Sequence, residues 1–172
     1  MPKAGEYCLI FCGLVTACGQ ESRRNQWDRE AARLESQIVP ATAVDTYLRD
    51  HVGFTSAGGE LRCSHLPLGA DSARTVLYVF AHCREFPPAE SGANRGSGLA
   101  WPLVLHLERS SGATRIVSHD EPRMGSLNRP DQERLFPAEV RSHPIFNNSS
   151  SAAKPYRDSL LRAVGTGESN LR

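Results

Sequence analysis

The stretch GSGLAWPLVLHLERSSGATRIVSHDEPRMGSLNRPDQERLFP, residues 96–137, decides the fold of this 172-residue chain. Residues 101–108 alternate between a largely apolar set of positions and a mixed one, and residues 114–120 alternate with one central apolar residue on each side, Ile116 and Val117, which predicts two β-strands. The Ser-Ser-Gly-Ala turn at residues 110–113 joins the two runs and predicts a β-hairpin. A polar corner follows, and then a short helix at residues 129–136 with a proline in its first turn.

Two further strands are predicted upstream of this hairpin. Leu61, Cys63 and His65 alternate with polar residues, which indicates one strand. Residues 75–86 form the longest predicted strand and are apolar on both faces in their first half, so we expect this strand to be central. Residues 68–74 are expected to form the turn between the two. The sheet should therefore hold about four strands, mostly antiparallel.

Helices are expected on both sides of these strands in the chain. Apolar residues recur at helical spacing in residues 27–38 and again in residues 42–52, and a last helix face is predicted at residues 156–164. The predicted fold class is α+β, with N-terminal helices packed on an antiparallel sheet of about four strands and short C-terminal helices. We place this domain at residues 27–146, with a linker and C-terminal helix at residues 147–172.

The N-terminus, MPKAGEYCLIFCGLVTA at residues 1–17, has the pattern of an export signal. Lys3 lies in a short basic head, an apolar run follows from residue 7, and small residues end it. No apolar run reaches the roughly 18 residues of a membrane-spanning helix. A buried N-terminal strand is the alternative interpretation. Residues 18–26 are polar beyond Cys18 and are expected to tether the domain.

Val15-Thr16-Ala17-Cys18 resembles the lipobox of bacterial lipoproteins. By that resemblance, Cys18 receives a thioether-linked diacylglycerol and becomes the new N-terminus, so that the chain meets the membrane through a lipid anchor. Gly19 resembles the residues that, in diderm bacteria, release a lipoprotein to the outer membrane. The expected location is therefore the cell envelope, at the outer membrane facing the periplasm if the source is diderm.

The predicted location at the cell envelope determines how the remaining cysteines are interpreted. Once the signal is removed and Cys18 is lipidated, only Cys63 and Cys83 remain, and two thiols in an oxidising compartment usually pair. The sequence therefore predicts a disulfide between them, with two separate buried thiols as the alternative. A turn at residues 68–74 would set Cys63 opposite residues 77–80, so the bridge requires a different register.

The chain resembles a family of small uncharacterised extracytoplasmic bacterial domains, found as lipoproteins or attached to larger membrane proteins. The family shares a strand ending in Glu-Phe or Glu-Tyr, a Gly-Ser-Gly loop, an apolar strand opening with Pro-Val or Pro-Leu, a second strand, a Pro-Arg-Asp-Gly-Ser corner and a helix ending in Phe-Pro. The matching residues here are Glu85-Phe86, Gly96-Ser97-Gly98, Pro102-Leu103-Val104, Ile116-Val117, Pro122-Arg123-Met124-Gly125-Ser126 and Leu135-Phe136-Pro137. Met124 stands where the family usually has Asp. The resemblance implies a fold and an address but no activity.

Charge and histidine spacing bear on several classes of function. Lys and Arg number 20 and Asp and Glu 19, so no net field favours a nucleic-acid partner. The six histidines are not spaced like metal ligands, and we expect no metal site and no cofactor. His106 and His119 stand where the hairpin would bring them face to face, as a cross-strand pair rather than a catalytic one. A hydrolase is the least favoured class, because no nucleophile-elbow pattern is present.

The corner after the hairpin is the candidate binding surface, formed by Glu121, Arg123, Gly125 and Ser126. The structural alternative is that Arg123 bonds to loop carbonyls and only holds the helix to the sheet. The expected function is a noncatalytic binding module, with a protein or an envelope polymer as ligand. One alternative is a periplasmic inhibitor of a lysozyme or protease, which would act through an exposed rigid loop at residues 87–98.

Overall fold

A computed structural model describes residues 26–56, 58–88, 96–110, 112–147 and 151–165 of the chain. The predicted signal segment, Cys18 and most of the tether lie outside the described residues. The helices are α1 at residues 26–38, α2 at Ala41–His51, α3 at Asn128–Leu135, α4 at Ala138–Arg141 and α5 at Lys154–Gly165. Short 3-10 turns occupy Gly125–Leu127, Pro144–Phe146 and Ser151–Ala153. None of the described helices is long and apolar enough to cross a membrane.

The strands β1 at Glu60–Ala70, β2 at Val76–Phe86, β3 at Gly98–Ser110 and β4 at Ala113–Asp120 form one antiparallel sheet in the order β1-β2-β3-β4. The predicted α+β class, with N-terminal helices, four antiparallel strands and short C-terminal helices, is confirmed. Strand β2 is central, as its apolar residues on both faces indicated. Its side chains alternate between the two sides of the sheet, so each side supplies its own core.

On one side of the sheet the core is closed by the end of α1 and by α2. Val44 and Leu48 of α2 are fully buried against Leu77 and Val79 of β2. On the opposite side, β2 contributes a second core that is closed by the C-terminal helices. The members of this second core are Leu68, Tyr78, Phe80, Val104, Phe136, Val140, Ile145 and Leu160. Burying one such side chain stabilises a fold by about 1.5 to 3 kcal/mol. The sheet is therefore covered on both faces by helices.

Strand β1 is longer than predicted, because a bulge replaces the expected turn at residues 68–74. The register shifts between Pro67 and Gly69, and Gly69 adopts a φ of 134°, a conformation that L-residues with side chains rarely adopt. Leu68, within this bulge, is fully buried. The longer strand moves the connecting turn to residues 71–75.

This longer strand brings the two remaining cysteines into register. Cys63 lies directly opposite Cys83, with their Cα atoms 4.0 Å apart and their sulfurs joined by a 2.05 Å bond. The predicted disulfide is therefore present in the structure. The expected position of Cys63 opposite residues 77–80 was wrong, because it assumed the shorter strand.

The hairpin of β3 and β4 forms, but the expected contact between His106 and His119 was wrong. A register shift between His106 and Leu107 places His106 opposite Ser118, and His119 opposite Leu105. The two rings therefore point to opposite faces of the sheet. Each ring has another partner: Nε2 of His106 lies 2.8 Å from an Asp120 carboxylate oxygen, and Nδ1 of His119 lies 3.0 Å from the Tyr47 hydroxyl.

Candidate binding site

The predicted binding surface lies at the corner where β4 leads into α3. Glu121, Arg123, Gly125 and Ser126 are all exposed, and Pro122 between the first two is buried. Gly125 adopts a φ of 71°, a conformation that glycine takes without strain, at the turn into the helix. The corner thus brings all four predicted residues to one part of the surface, on a backbone anchored at the proline.

Two neighbouring elements fix the backbone of this corner. The indole Nε1–H of Trp101, on β3, donates to the Pro122 carbonyl at 3.2 Å. On the other side, Asp131 of α3 accepts from the Arg123 backbone N–H at 2.9 Å and from its guanidinium Nε and Nη2 at 2.7 and 2.9 Å. Asn128 donates through Nδ2 to the Arg123 carbonyl at 3.2 Å. The corner is therefore held to both the sheet and the helix.

The expectation that Arg123 bonds to loop carbonyls was wrong in its partner. Its guanidinium binds a carboxylate, that of Asp131, which is 2 % exposed. The side chain and backbone N–H of Arg123 hold the pKa of Asp131 well below its usual range. A buried carboxylate requires such a partner. Arg123 therefore stabilises the fold at Asp131, although its own side chain is exposed.

Apolar side chains are exposed on the same corner. Met124 is 81 % exposed and Leu127 is 45 % exposed. An unbranched thioether adapts to many partner shapes, so Met124 suits an apolar contact.

A second anchoring point lies where β2 ends. The side chain of Glu85, which is 1 % exposed, accepts hydrogen bonds from the backbone N–H and hydroxyl of Ser56, from the N–H of Gly59, and from the N–H and hydroxyl of Ser97, all at 2.9 to 3.1 Å. A Cβ added to Gly96 would lie 2.5 Å from the Glu85 carbonyl oxygen, so only glycine fits there. Two motifs that the family resemblance singled out, Glu-Phe and Gly-Ser-Gly, therefore meet in space.

The rigid loop on which the inhibitor hypothesis depends is described only at its two ends. Residues 87–88 continue from β2, and residues 96–97 lead into β3 through the contacts with Glu85. Residues 89–95 lie outside the described part of the chain. The inhibitor hypothesis therefore stays a prediction.

His65 forms a buried ion cluster that sequence reasoning missed. Its Nδ1–H donates to Asp45 of α2 at 2.7 Å and its Nε2–H to Glu35 of α1. Burial opposes the charge on the ring, but the two carboxylates outweigh it and raise the pKa of His65 to about 9. The cluster ties both N-terminal helices to β1. Its three members are far apart in the sequence, so no spacing pattern pointed to it.

His143 forms a second buried cluster on the opposite side of the sheet. Its Nδ1 accepts from the Ile145 backbone N–H at 3.2 Å, so the hydrogen is assigned to Nε2, which lies 3.2 Å from an Asp28 carboxylate oxygen. The Tyr156 hydroxyl donates to the other oxygen of Asp28 at 2.9 Å. The cluster joins α1 to α5, and its members give no signal in the sequence because they meet only in the folded chain.

A hollow of about 490 Å³ opens between α1, the turn after β1, and α4. Its floor is apolar, with Leu34, Leu68 and Val140 among its residues. The remaining lining residues are Trp27, Glu30, Ala31, Gly69, Ala70, Asp71, Ser72, Tyr78, Pro137 and Glu139. Nothing in the sequence analysis indicated this hollow, because its walls come from four separate segments.

Neither the buried clusters of the described residues nor the comparisons with known proteins identify an activity. Within the described residues, no group of three or more His, Cys, Asp or Glu is placed to hold a metal ion. The chain was compared with protein-family models, curated proteins and solved structures, and no significant match was found. The family resemblance from the sequence therefore stays a prediction.

Proposed function

We propose that this protein is a noncatalytic binding module held at the cell envelope by a lipid on Cys18, and that it binds a protein or envelope polymer. The observation that carries the binding role is the corner of β4 and α3. There, Met124 is 81 % exposed on a backbone that Trp101 and Asp131 hold from both sides. A surface fixed in advance loses little conformational entropy on binding, so its contacts contribute more fully to affinity.

The noncatalytic part of the proposal is supported by how the buried charges are used. The carboxylates of Glu85 and Asp131 bind loop and corner groups, and His65 is held between two acids. Each of these groups stabilises a junction between elements of the fold. A general base, by contrast, has to stand within reach of the proton that it removes from a substrate.

The location is supported by the disulfide between Cys63 and Cys83, since such bonds persist in oxidising compartments. The proposed anchor is tested by Cys18→Ala. We expect the wild-type protein in the detergent phase of a Triton X-114 separation and the variant in the aqueous phase or as an unprocessed precursor. Equal partitioning of both proteins into detergent would contradict the lipid anchor.

The binding role is tested by placing a photo-crosslinking amino acid at position 124 in cells. We expect one specific adduct with a protein or envelope polymer, identified by mass spectrometry. The matched control carries the same amino acid at position 108, which is exposed on β3 and outside the corner. Adducts of the same pattern from both positions, or none from position 124, would contradict a binding surface at the corner.

A further inference from the structure

The hollow beneath α1 combines an apolar floor with a rim of acidic side chains. Glu30 of α1, Asp71 of the turn after β1 and Glu139 of α4 all line it. No Lys, Arg or His is among the described residues that line the hollow. Three negative charges thus face one concave surface without a cation beside them, so the hollow favours a positively charged occupant.

Two of these carboxylates are free to bind a ligand. Within the described part of the chain, the Glu30 and Glu139 side chains have no hydrogen bond or ion pair. Asp71 differs, because its carboxylate accepts from the backbone N–H groups of Thr75 and Val76 at 2.8 and 2.7 Å. These bonds outweigh the effect of burial and lower the pKa of Asp71, so its charge persists as a fixed part of the field.

An independent observation comes from Tyr78 of β2. The residue is 9 % exposed and lines the hollow, yet its hydroxyl has no hydrogen-bond partner among the described residues. The hydroxyl oxygen is not among the described buried side-chain atoms that lack a partner, so it reaches the surface of the hollow, where a ligand can meet it. Burial, together with the charges of Asp71 and Glu139, raises the pKa of Tyr78, so the group stays protonated at neutral pH. An ammonium in the hollow would donate to this hydroxyl oxygen.

The shape of the site indicates an organic cation rather than a metal ion. The described acids do not form a group that could converge on one metal. The partly exposed side chain of Leu34 suits an aliphatic stem, and the partly exposed indole of Trp27 adds an aromatic wall. A compact ammonium on a four-carbon stem, as in lysine, combines these two properties. A volume of about 490 Å³ lies within the range of ordinary ligand sites.

We propose that this hollow binds a lysine side chain of a partner protein, with its ammonium between Glu139 and the Tyr78 hydroxyl and its stem against Leu34. This ligand class depends on the proposed binding function, for which it names one recognised group. It does not depend on the corner at Met124, which lies outside the lining of the hollow.

The inference is tested by titrating the ¹⁵N-labelled full chain with capped lysine (Nα-acetyl-lysine methylamide) at constant ionic strength. We expect the amides of Leu34 and Gly69 to shift. The capped lysine whose side-chain amine is acetylated should bind at least about 5-fold more weakly, because it lacks the charge. Equal shifts with both probes would overturn the proposal.

Variants locate the contact. Tyr78→Phe and Glu139→Gln should each weaken binding of the capped lysine about 5-fold, whereas Glu108→Gln, on β3 outside the hollow, should leave it unchanged. A small free amine, n-butylammonium, tests whether the ligand is a lysine of a protein or a small molecule. If this amine binds and capped lysine does not, the proposal of a lysine side chain is overturned. If the crosslinking at position 124 succeeds and no lysine shift is seen, the inference about the hollow fails and the proposed function stands.

Discussion

The carboxylate of Glu85 accepts both the backbone N–H and the hydroxyl of Ser97, at 2.9 and 3.0 Å. A side chain at the end of β2 thereby fixes the start of β3. Since the same carboxylate also binds Ser56 and Gly59, three segments of the chain depend on one buried group.

Glu85→Gln should therefore destabilise the fold well beyond the effect of its small change in size. The amide presents a donor where the carboxylate accepts several hydrogen bonds, and we expect a loss of about 2 to 3 kcal/mol in the free energy of unfolding, measured with urea. Glu133→Gln, an exposed acid on α3, is the matched control and should change stability by less than about 0.5 kcal/mol. Equal effects of the two changes would contradict the role of Glu85.

Breaking the bridge between Cys63 and Cys83 should also lower stability. The bridge closes a loop with a sequence separation of 20, for which chain entropy gives about 3 kcal/mol. We expect dithiothreitol to shift the urea midpoint of the wild-type protein downward and to leave a Cys63→Ala/Cys83→Ala double variant unaffected. Thiol counting on the unfolded, unreduced domain should find no free thiol at these two positions; two free thiols would rule out the bridge.

Stability should depend on pH through His65. Its folded pKa is about 9 and its unfolded value about 6.5, so the folded state holds the proton more tightly. The stabilisation is therefore complete below about pH 6.5 and is lost as pH rises through about 9; it amounts to about 3 kcal/mol. His65→Gln should remove this slope from the free energy of unfolding measured between pH 6 and 9.5. His106→Gln, whose ring is partly exposed, is the control, and a slope that persists in His65→Gln would contradict the assignment.

Arg123→Ala should loosen the corner, because it leaves the buried Asp131 carboxylate without its guanidinium partner. We expect faster hydrogen exchange of the backbone amides at residues 123–127, and little change for Arg129→Ala, whose ion pair on α3 is exposed. The pKa of Asp131 is lowered by Arg123, so the stability difference between wild type and Arg123→Ala should be present at neutral pH. It should shrink as pH falls below about 4. Unchanged exchange rates would contradict this role.

The strands and the hairpin, which depend on the pattern of apolar residues and turn residues, could be predicted from the sequence. Apolar residues on both faces identified β2 as a central strand, and the turn residues identified the hairpin of β3 and β4. The turn predicted at residues 68–74 was wrong, because a glycine such as Gly69 has the same local signature at a bulge and at a turn. The extra strand length past this bulge is what brings Cys63 opposite Cys83.

The candidate site was only partly predictable. The corner was identified because Pro122 restricts the backbone and Gly125 allows a turn conformation that other residues rarely adopt. The identity of the partner of Arg123 was not, since Asp131 lies eight residues away in a different element. The hollow gave no signal at all, because Tyr78 and Glu139 become neighbours only after β2 and α4 have packed on the same side of the sheet.

Trp27 lies in the first turn of the described part of α1 and lines the hollow. Only seven residues separate Cys18 from residue 26, and even a fully extended chain spans no more than about 3.6 Å per residue. If Cys18 carries the lipid, the start of α1 at the hollow lies within roughly 30 Å of the lipid headgroups. The protein would then stay close to its own bilayer, where the short tether raises the effective concentration of any membrane-bound partner. Under that restriction, even a weak affinity for a single lysine would suffice to select a partner that shares the membrane.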